Sequence, residues 1–171
     1  QDATLLPWRT VQGNVELLAE LQGYTKVERQ ALAMAAINLV GLQGFENHYP
    51  KMLSGGMKMR VSLARTLTLR PPVFLFDEPF GAVDEITRMS LNEETQEIFK
   101  NEGFAGLFIT HSIGEAVFMS TRILVMSARP GRLVAEIDVP FDYPRKPDLR
   151  FDSRFAELSG TVSAALREAH T

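Results

Sequence analysis

The sequence predicts an α/β protein with a parallel sheet at its core and a helical subdomain before it. Three observations predict this. Two apolar runs, "VFLFDEP" at 73–79 and "GLFITH" at 106–111, each end in polar residues, as strands buried on both faces of a parallel sheet do. A capped helical segment separates them, and strand–helix–strand–helix–strand order implies parallel pairing through right-handed crossovers. The first third of the chain, by contrast, spaces its apolar residues with the period of a helix.

Taken in order, residues 1–13 show no period, contain Pro7 and read as a loop. Val15 to Leu21 is a short helix candidate ending near Gly23. "TKVE" at 25–28 is a capping box: the Thr25 hydroxyl accepts from a first-turn amide while Glu28 reaches back. Leu32, Ala35, Ala36, Leu39 and Val40 follow at helical spacing, and Gly41 is a natural stop. A third helix is expected from about Gly55 to Leu69. "RPP" at 70–72 marks the change to strand. Asp84 caps the next helix, in which Leu91, Thr95, Ile98 and Phe99 share a face and Gly103 closes the end. Ser112 and Glu115 form a second capping box, opening a helix to about Met119. "RILVM" at 122–126 and "RLVAEIDV" at 132–139 are further strands. "PFDYPRKP" at 140–147 reads as a proline-punctuated linker, and a final helix carries Phe155, Leu158, Val162 and Leu166 on one face. The expected units are residues 1–69 (helical), 70–140 (α/β core) and 141–171 (linker and helix).

Bulk properties narrow the function. A chain of 171 residues holds one domain with a real core. A net charge of −3 offers no basic field for nucleic acid, and the absence of cysteine excludes disulfides and thiolate metal sites. No stretch approaches the roughly 18 apolar residues that a spanning helix needs.

The chemistry-bearing residues sit where parallel α/β sheets bind ligands, beyond the carboxyl ends of the strands. Asp77 and Glu78 follow the first run and His111 the second. An acid at a strand tip suits Mg²⁺, which takes oxygen ligands, and a second acid can orient water for in-line attack on phosphorus. Read singly, the acids serve equally as solvated turn caps and His111 as a hydrogen-bonding residue. "LSGG" at 53–56 enters a helix. Its bare amides and the helix dipole suit an anion, and a glycine pair there is equally a tight turn.

Together, "LSGG", "VFLFDEP", "GAVD" (81–84) and "FITH", in this order, resemble the ATP-binding cassette (ABC) ATPases. "QDATLLPW", "DEPFGAVDEITR", "VMSARPGRLVAEIDV" and "PRKP" resemble the importer subfamily serving nitrate, sulfonate, taurine and similar small anions. The resemblance implies a P-loop NTPase-like fold, with ATP and Mg²⁺ as ligands. It implies Gln1 as the Q-loop glutamine, linking Mg²⁺ and water to the permease contact. Ser54, Gly55 and Gly56 would be the signature loop that closes on the γ-phosphate of a second subunit. Asp77 would bind Mg²⁺ through water, Glu78 would be the general base, Asp84 the D-loop acid and His111 the switch histidine. Arg60 and Arg65, on the signature helix, are expected as structural salt-bridge partners. The implied partners are a second copy of the ATPase, transmembrane permease subunits and, indirectly, a solute-binding protein, at the cytoplasmic face of the inner membrane.

One element departs from the pattern. The cradle G-x-x-x-x-G-K-[ST] does not occur, and no Gly-Lys dipeptide exists in the chain. The chain is therefore expected to be a C-terminal part of the ATPase beginning at the Q-loop, with an incomplete sheet. Alone it is expected to bind ATP weakly, to lack turnover and to self-associate through uncovered strands. The competing readings are a non-catalytic permease-binding module and an ABC ATPase of DNA maintenance. The latter needs long coiled coils where only about fifty residues of ordinary helices occur.

Overall fold

The computed structural model describes residues 3–169. Its first part is helical. Thr10 caps α1 (Val11–Val15) by accepting the Gly13 amide at 3.2 Å, so the first helix begins inside the stretch expected to be loop. A break at Glu16 leads into α2 (Leu17–Leu21), and Gly23, at φ 82°, follows it. The Thr25–Glu28 capping box is present at the start of α3 (Lys26–Leu39): Glu28 N donates to Thr25 Oγ1 at 3.4 Å, and Thr25 N to Glu28 Oε2 at 2.8 Å. A 3₁₀ turn at Pro50–Met52 precedes α4 (Gly55–Leu67), which ends two residues before the expected Leu69.

These helices share a core of Val11, Val15, Ala36, Ile37, Val61 and Ala64, which continues into Phe74 and Ile98 of the α/β part. Arg60 pairs with Glu94 at 2.6 Å, as expected of it. Arg65 instead donates to the carbonyls of Thr4 and Ala3, at 3.1 and 3.2 Å.

Strand β1 (Val73–Asp77) pairs in parallel with β2 (Ala105–Ile109), from Val73 opposite Ala105 to Asp77 opposite Ile109, with α5 (Glu85–Glu102) as the crossover. Asp84 caps α5, and Gly103 closes it at φ 70°, a left-handed geometry that glycine adopts without strain. The expectation that both faces of these strands are buried is corrected. Phe74 is buried and Phe76 half-buried against Phe99 and Phe104, whereas Val73, Leu75, Leu107 and Ile109 are 52–77% exposed. The physical reason is the pleat: alternate side chains face opposite sides, and the helices cover only one of them.

The parallel pairing expected of the strand after α6 (Ile113–Met119) does not occur. Strand β3 (Arg122–Met126) pairs antiparallel with β4 (Leu133–Asp138), and the two form a sheet separate from β1–β2. The cause lies in the short connection. Ser127 N donates to the Arg132 carbonyl and Ser127 Oγ accepts the Arg132 amide at 3.0 Å, closing a hairpin, whereas a parallel pair needs a dozen or more connecting residues.

Residues 140–147 are more than a linker. Arg145 is 4% exposed. Its guanidinium donates to the Phe118 carbonyl at 2.9 Å and the Phe141 carbonyl at 3.3 Å, and its amide donates to Gln96 Oε1 at 2.9 Å. Beyond a 3₁₀ turn at Pro147–Phe151, Arg150 lies over the Phe118 ring and pairs with Glu93. Helix α7 (Ser153–Glu168) buries Phe155 and Val162 in a second core with Val117, Phe118, Ile123 and Val125. Its apolar stripe therefore packs against α6 and the hairpin.

Candidate functional site

The site is built where β1 and β2 end. Asp77 is the last residue of β1 and is exposed, opposite Ile109. Glu78 extends the ladder by one bond, donating its amide to the Ile109 carbonyl at 2.9 Å, and then turns sharply at φ 44°. Left-handed backbone at a residue with a Cβ costs on the order of 1–3 kcal/mol and collects at functional sites. The strain is maintained from both sides, since Gly81 donates its amide back to the Glu78 carbonyl at 3.1 Å. A Cβ at Gly81 would make ordinary contact there, 3.4 Å from that carbonyl oxygen and 3.5 Å from Glu78 Oε2.

Across the gap, His111 stands two residues beyond β2, with its Nδ1 3.1 Å from Glu78 Oε2. The carboxylate is 25% exposed and the imidazole 68%. In a neutral ring, a proton on Nδ1 is the one placed to face Glu78 Oε2.

The signature glycines form a second group. Ser54 caps α4, its hydroxyl accepting the Met57 amide at 3.3 Å. Gly55 is exposed, with room for a Cβ at 3.6 Å from Val83 Cγ1. Gly56 is buried, and a Cβ there would come within 2.7 Å of Thr87 Cγ2. One of the two glycines thus has a reason inside this chain: it admits α5 against the first turn of α4. Asp84 belongs to the same group. Its carboxylate accepts the Thr87 hydroxyl at 2.6 Å and the Thr87 amide at 3.0 Å, and these bonds hold it below the ordinary aspartate range. Thr87 therefore joins the two sequence segments, bonded to Asp84 and pressed against Gly56.

The structure brings Glu78 to His111, and Gly56 to the helix that Asp84 caps. The loop between these groups is seated by Phe80, Val83 and Leu91, packed with Met59 and Phe108. Gln1 lies outside the described residues. Thr87 was not singled out in the sequence; its signal was the third position of a helix capped by Asp84. The strain at Glu78 had no legible signal, because the following Pro79 favours extended backbone at that residue.

Among the described residues no cluster of three or more His, Asp or Glu side chains could hold a metal by protein ligands alone. Mg²⁺ in phosphoryl-transfer sites keeps waters and substrate oxygens and uses one or two carboxylates. The exposed Asp77 carboxylate is a donor of that kind, so this residue fits the ion. No helix among the described residues is long and apolar enough to cross a membrane.

Residues 1–81 match the ABC transporter family. An uncharacterized ABC transporter ATP-binding protein of Methanocaldococcus jannaschii is 47% identical over 145 residues, 85% of this chain and 54% of that protein. A taurine import ATP-binding protein of Rhizobium johnstonii is 42% identical over 171 residues, 97% of this chain and 65% of that protein. The taurine import ATP-binding protein of Yersinia pestis is 44% identical over 141 residues, 82% of this chain and 55% of that protein. The chain thus spans between about half and two thirds of the length of these curated relatives. Among solved structures, a dimeric bacterial ABC transporter cassette superposes with a TM-score of 0.67 at 29% identity, covering 82% of this chain and 61% of the cassette. A post-hydrolysis state of that cassette, bound to ADP and phosphate, superposes equally, at 28% identity and 83% and 62% coverage.

Proposed function

We propose that this chain, which resembles ABC transporter ATP-binding proteins in sequence and fold, carries the hydrolytic residues of an ATPase driving an importer of small anions such as nitrate, sulfonate or taurine. The single observation that carries the hydrolytic part is the Glu78–His111 contact, 3.1 Å, at the carboxyl ends of two parallel strands. The taurine import relatives support the importer part.

In this reading Glu78 is the general base. With Oε2 held by the Nδ1 proton of His111, Oε1 takes a proton from a water. The water oxygen attacks the γ-phosphorus, the bond to the bridging oxygen breaks, and ADP departs. His111 orients the carboxylate and spreads the charge it gains. Asp77, together with Gln1, would hold Mg²⁺, which when bound neutralises phosphate oxygens. Ser54 and Gly55 would close on a nucleotide carried by a second subunit. The burial of Gly56 against Thr87 favours the first two of the three signature residues for that contact. Asp84 would lie at the same subunit boundary. Residues 1–69 would face the permease at the cytoplasmic side of the inner membrane, with a solute-binding protein acting indirectly.

The phosphate cradle is not among these 171 residues, so turnover is assigned to the complete cassette and weak ATP binding to this chain alone. The test is phosphate release by a cassette containing this sequence. Glu78→Gln is expected to lower turnover by at least about 100-fold while ATP still drives dimerisation. Turnover retained in that variant would refute the role given to Glu78. Micromolar ATP affinity of the 171-residue chain in calorimetry would refute the cradle argument.

A further inference from the structure

The loop carrying His111 is fastened by its neighbours. The Ser112 amide donates to Thr110 Oγ1 at 3.0 Å, and Thr110 Oγ1 lies 2.5 Å from Glu115 Oε2. The Ser112 hydroxyl in turn accepts the Glu115 amide at 3.4 Å. Proton assignments follow from chemistry. An amide only donates, so the Thr110 oxygen accepts from Ser112 and its own hydrogen goes to the carboxylate. The expected capping box is therefore half made. Glu115 does not reach the Ser112 amide, because the Thr110 hydroxyl stands between them.

That arrangement is costly. Glu115 is 7% exposed, and its Oε1 is buried with no hydrogen-bond partner. A buried unsatisfied polar atom costs on folding and requires a reason. The reason on offer is adjacent: the ring Glu115–Thr110–Ser112 closes across residues 110–112, with His111 in its centre. His111 is mostly exposed, and among the described residues its ion contact is with Glu78. The direction of so exposed an imidazole follows from the backbone that the ring holds.

We propose that Thr110 and Glu115 are positioning residues that lock the 110–112 backbone so that the neutral His111 ring presents its Nδ1 proton to Glu78. The catalytic reading of Glu78 and His111 gives this its importance, but the positioning itself is read without nucleotide, so the two can fail separately.

The experiment is nitrogen-15 NMR of the imidazoles in the 171-residue chain, about two pH units above the ordinary histidine value of ~6.5. His111 is assigned by loss of its signal in His111→Ala. Amide exchange is followed at Ser112, with Val117 and Phe118 as controls for an intact fold. The wild-type ring is expected as the Nδ1–H tautomer. Thr110→Val and Glu115→Leu, which cannot make the Thr110–Glu115 bond, are expected to shift it towards Nε2–H, and to speed Ser112 exchange about tenfold, the loss of one hydrogen bond. Thr110→Ser, which keeps the hydroxyl, retains both signatures. Glu78→Ala, which removes the acceptor, loses the tautomer but leaves Ser112 exchange unchanged, which separates the ring's partner from its anchor. A wild-type tautomer in Thr110→Val or Glu115→Leu, or its loss in Thr110→Ser, overturns the assignment. If the tautomer behaves as stated while His111→Ala leaves turnover of the complete cassette intact, the positioning stands and the catalytic reading falls.

Discussion

Glu78 and His111 meet across the ends of two parallel strands, Oε2 to Nδ1 at 3.1 Å, although 33 residues separate them in sequence. The contact is made from a strained backbone, Glu78 at φ 44°. Glycine at this position removes both the carboxylate and the strain. Glu78→Gly is therefore expected to abolish turnover of the cassette while leaving the chain as stable as wild type, or more stable by about 1 kcal/mol. Urea unfolding of the chain, beside phosphate release by the cassette, checks it. A loss of stability would show that Glu78 supports the fold, not a site that strains it.

The two signature glycines should respond in opposite ways. Gly56→Ala drives a methyl to within 2.7 Å of Thr87 Cγ2, where α4 and α5 touch. Overpacking of this kind costs about 1–3 kcal/mol. Gly55→Ala meets only ordinary contact at 3.6 Å from Val83 and gains helix propensity of about 1 kcal/mol. Thermal denaturation should rank Gly55→Ala at or above wild type and Gly56→Ala below it. If the stable Gly55→Ala also loses ATP-driven dimerisation in the cassette, the role of Gly55 lies in ligand contact.

Arg145 is a buried cation whose guanidinium satisfies two carbonyls. Burial lowers its pKa and also pushes the Tyr143 phenol, 5.5 Å away, up to about 12. Arg145→Ala leaves the carbonyls of Phe118 and Phe141 without these donors, at about 1–3 kcal/mol for each that stays dry. Arg154→Ala, at the exposed Arg154–Asp152 pair, is expected to change little. Chemical denaturation of the two variants should separate them clearly, and equal effects would mean that residues 140–147 act as a linker after all.

Acid should loosen the helix starts first. Hydrogen bonds hold three capping carboxylates below their ordinary values: Glu28 through the Thr25 side chain, Asp84 through that of Thr87, and Asp152 through that of Arg154. A carboxylate with a depressed folded-state pKa stabilises the fold above its unfolded value, 4.5 for Glu and 3.8 for Asp. That stabilisation disappears as pH falls through the folded pKa. Helical circular dichroism and melting temperature should therefore decline below about pH 4.5, and less steeply in a Glu28→Gln, Asp84→Asn double variant. An unchanged slope in that variant would remove the caps as the cause.

The open face of β1–β2 should associate. Val73, Leu75, Leu107 and Ile109 form a contiguous apolar surface, and such patches favour contact between copies. Light scattering of the 171-residue chain is expected to show concentration-dependent association, reduced by Leu75→Glu with Ile109→Glu. A clean monomer at micromolar concentration would defeat this expectation.

Local chemistry was legible along the chain. The Thr25–Glu28 box, the Asp84 cap, the Gly103 stop and the buried stripe of α5 are all decided by residues within a turn or two of one another. The same holds for the order of strands and helices, and for the polar residues that end β1 and follow β2. That β3 leaves the parallel sheet for an antiparallel pairing with β4 is not legible in strand patterning, which does not reveal partners.

What the sequence determined by itself, then, was most of the helices and strands and which side chains stand at the strand tips, because caps, periods and turns are short-range physics. The tertiary structure alone decided three things. It left one face of β1–β2 open, it made Gly56 a contact for Thr87, and it brought His111 to 3.1 Å from Glu78. The last two depend on segments distant in sequence meeting within a few ångströms and the first on no segment covering that face, and no local propensity encodes either.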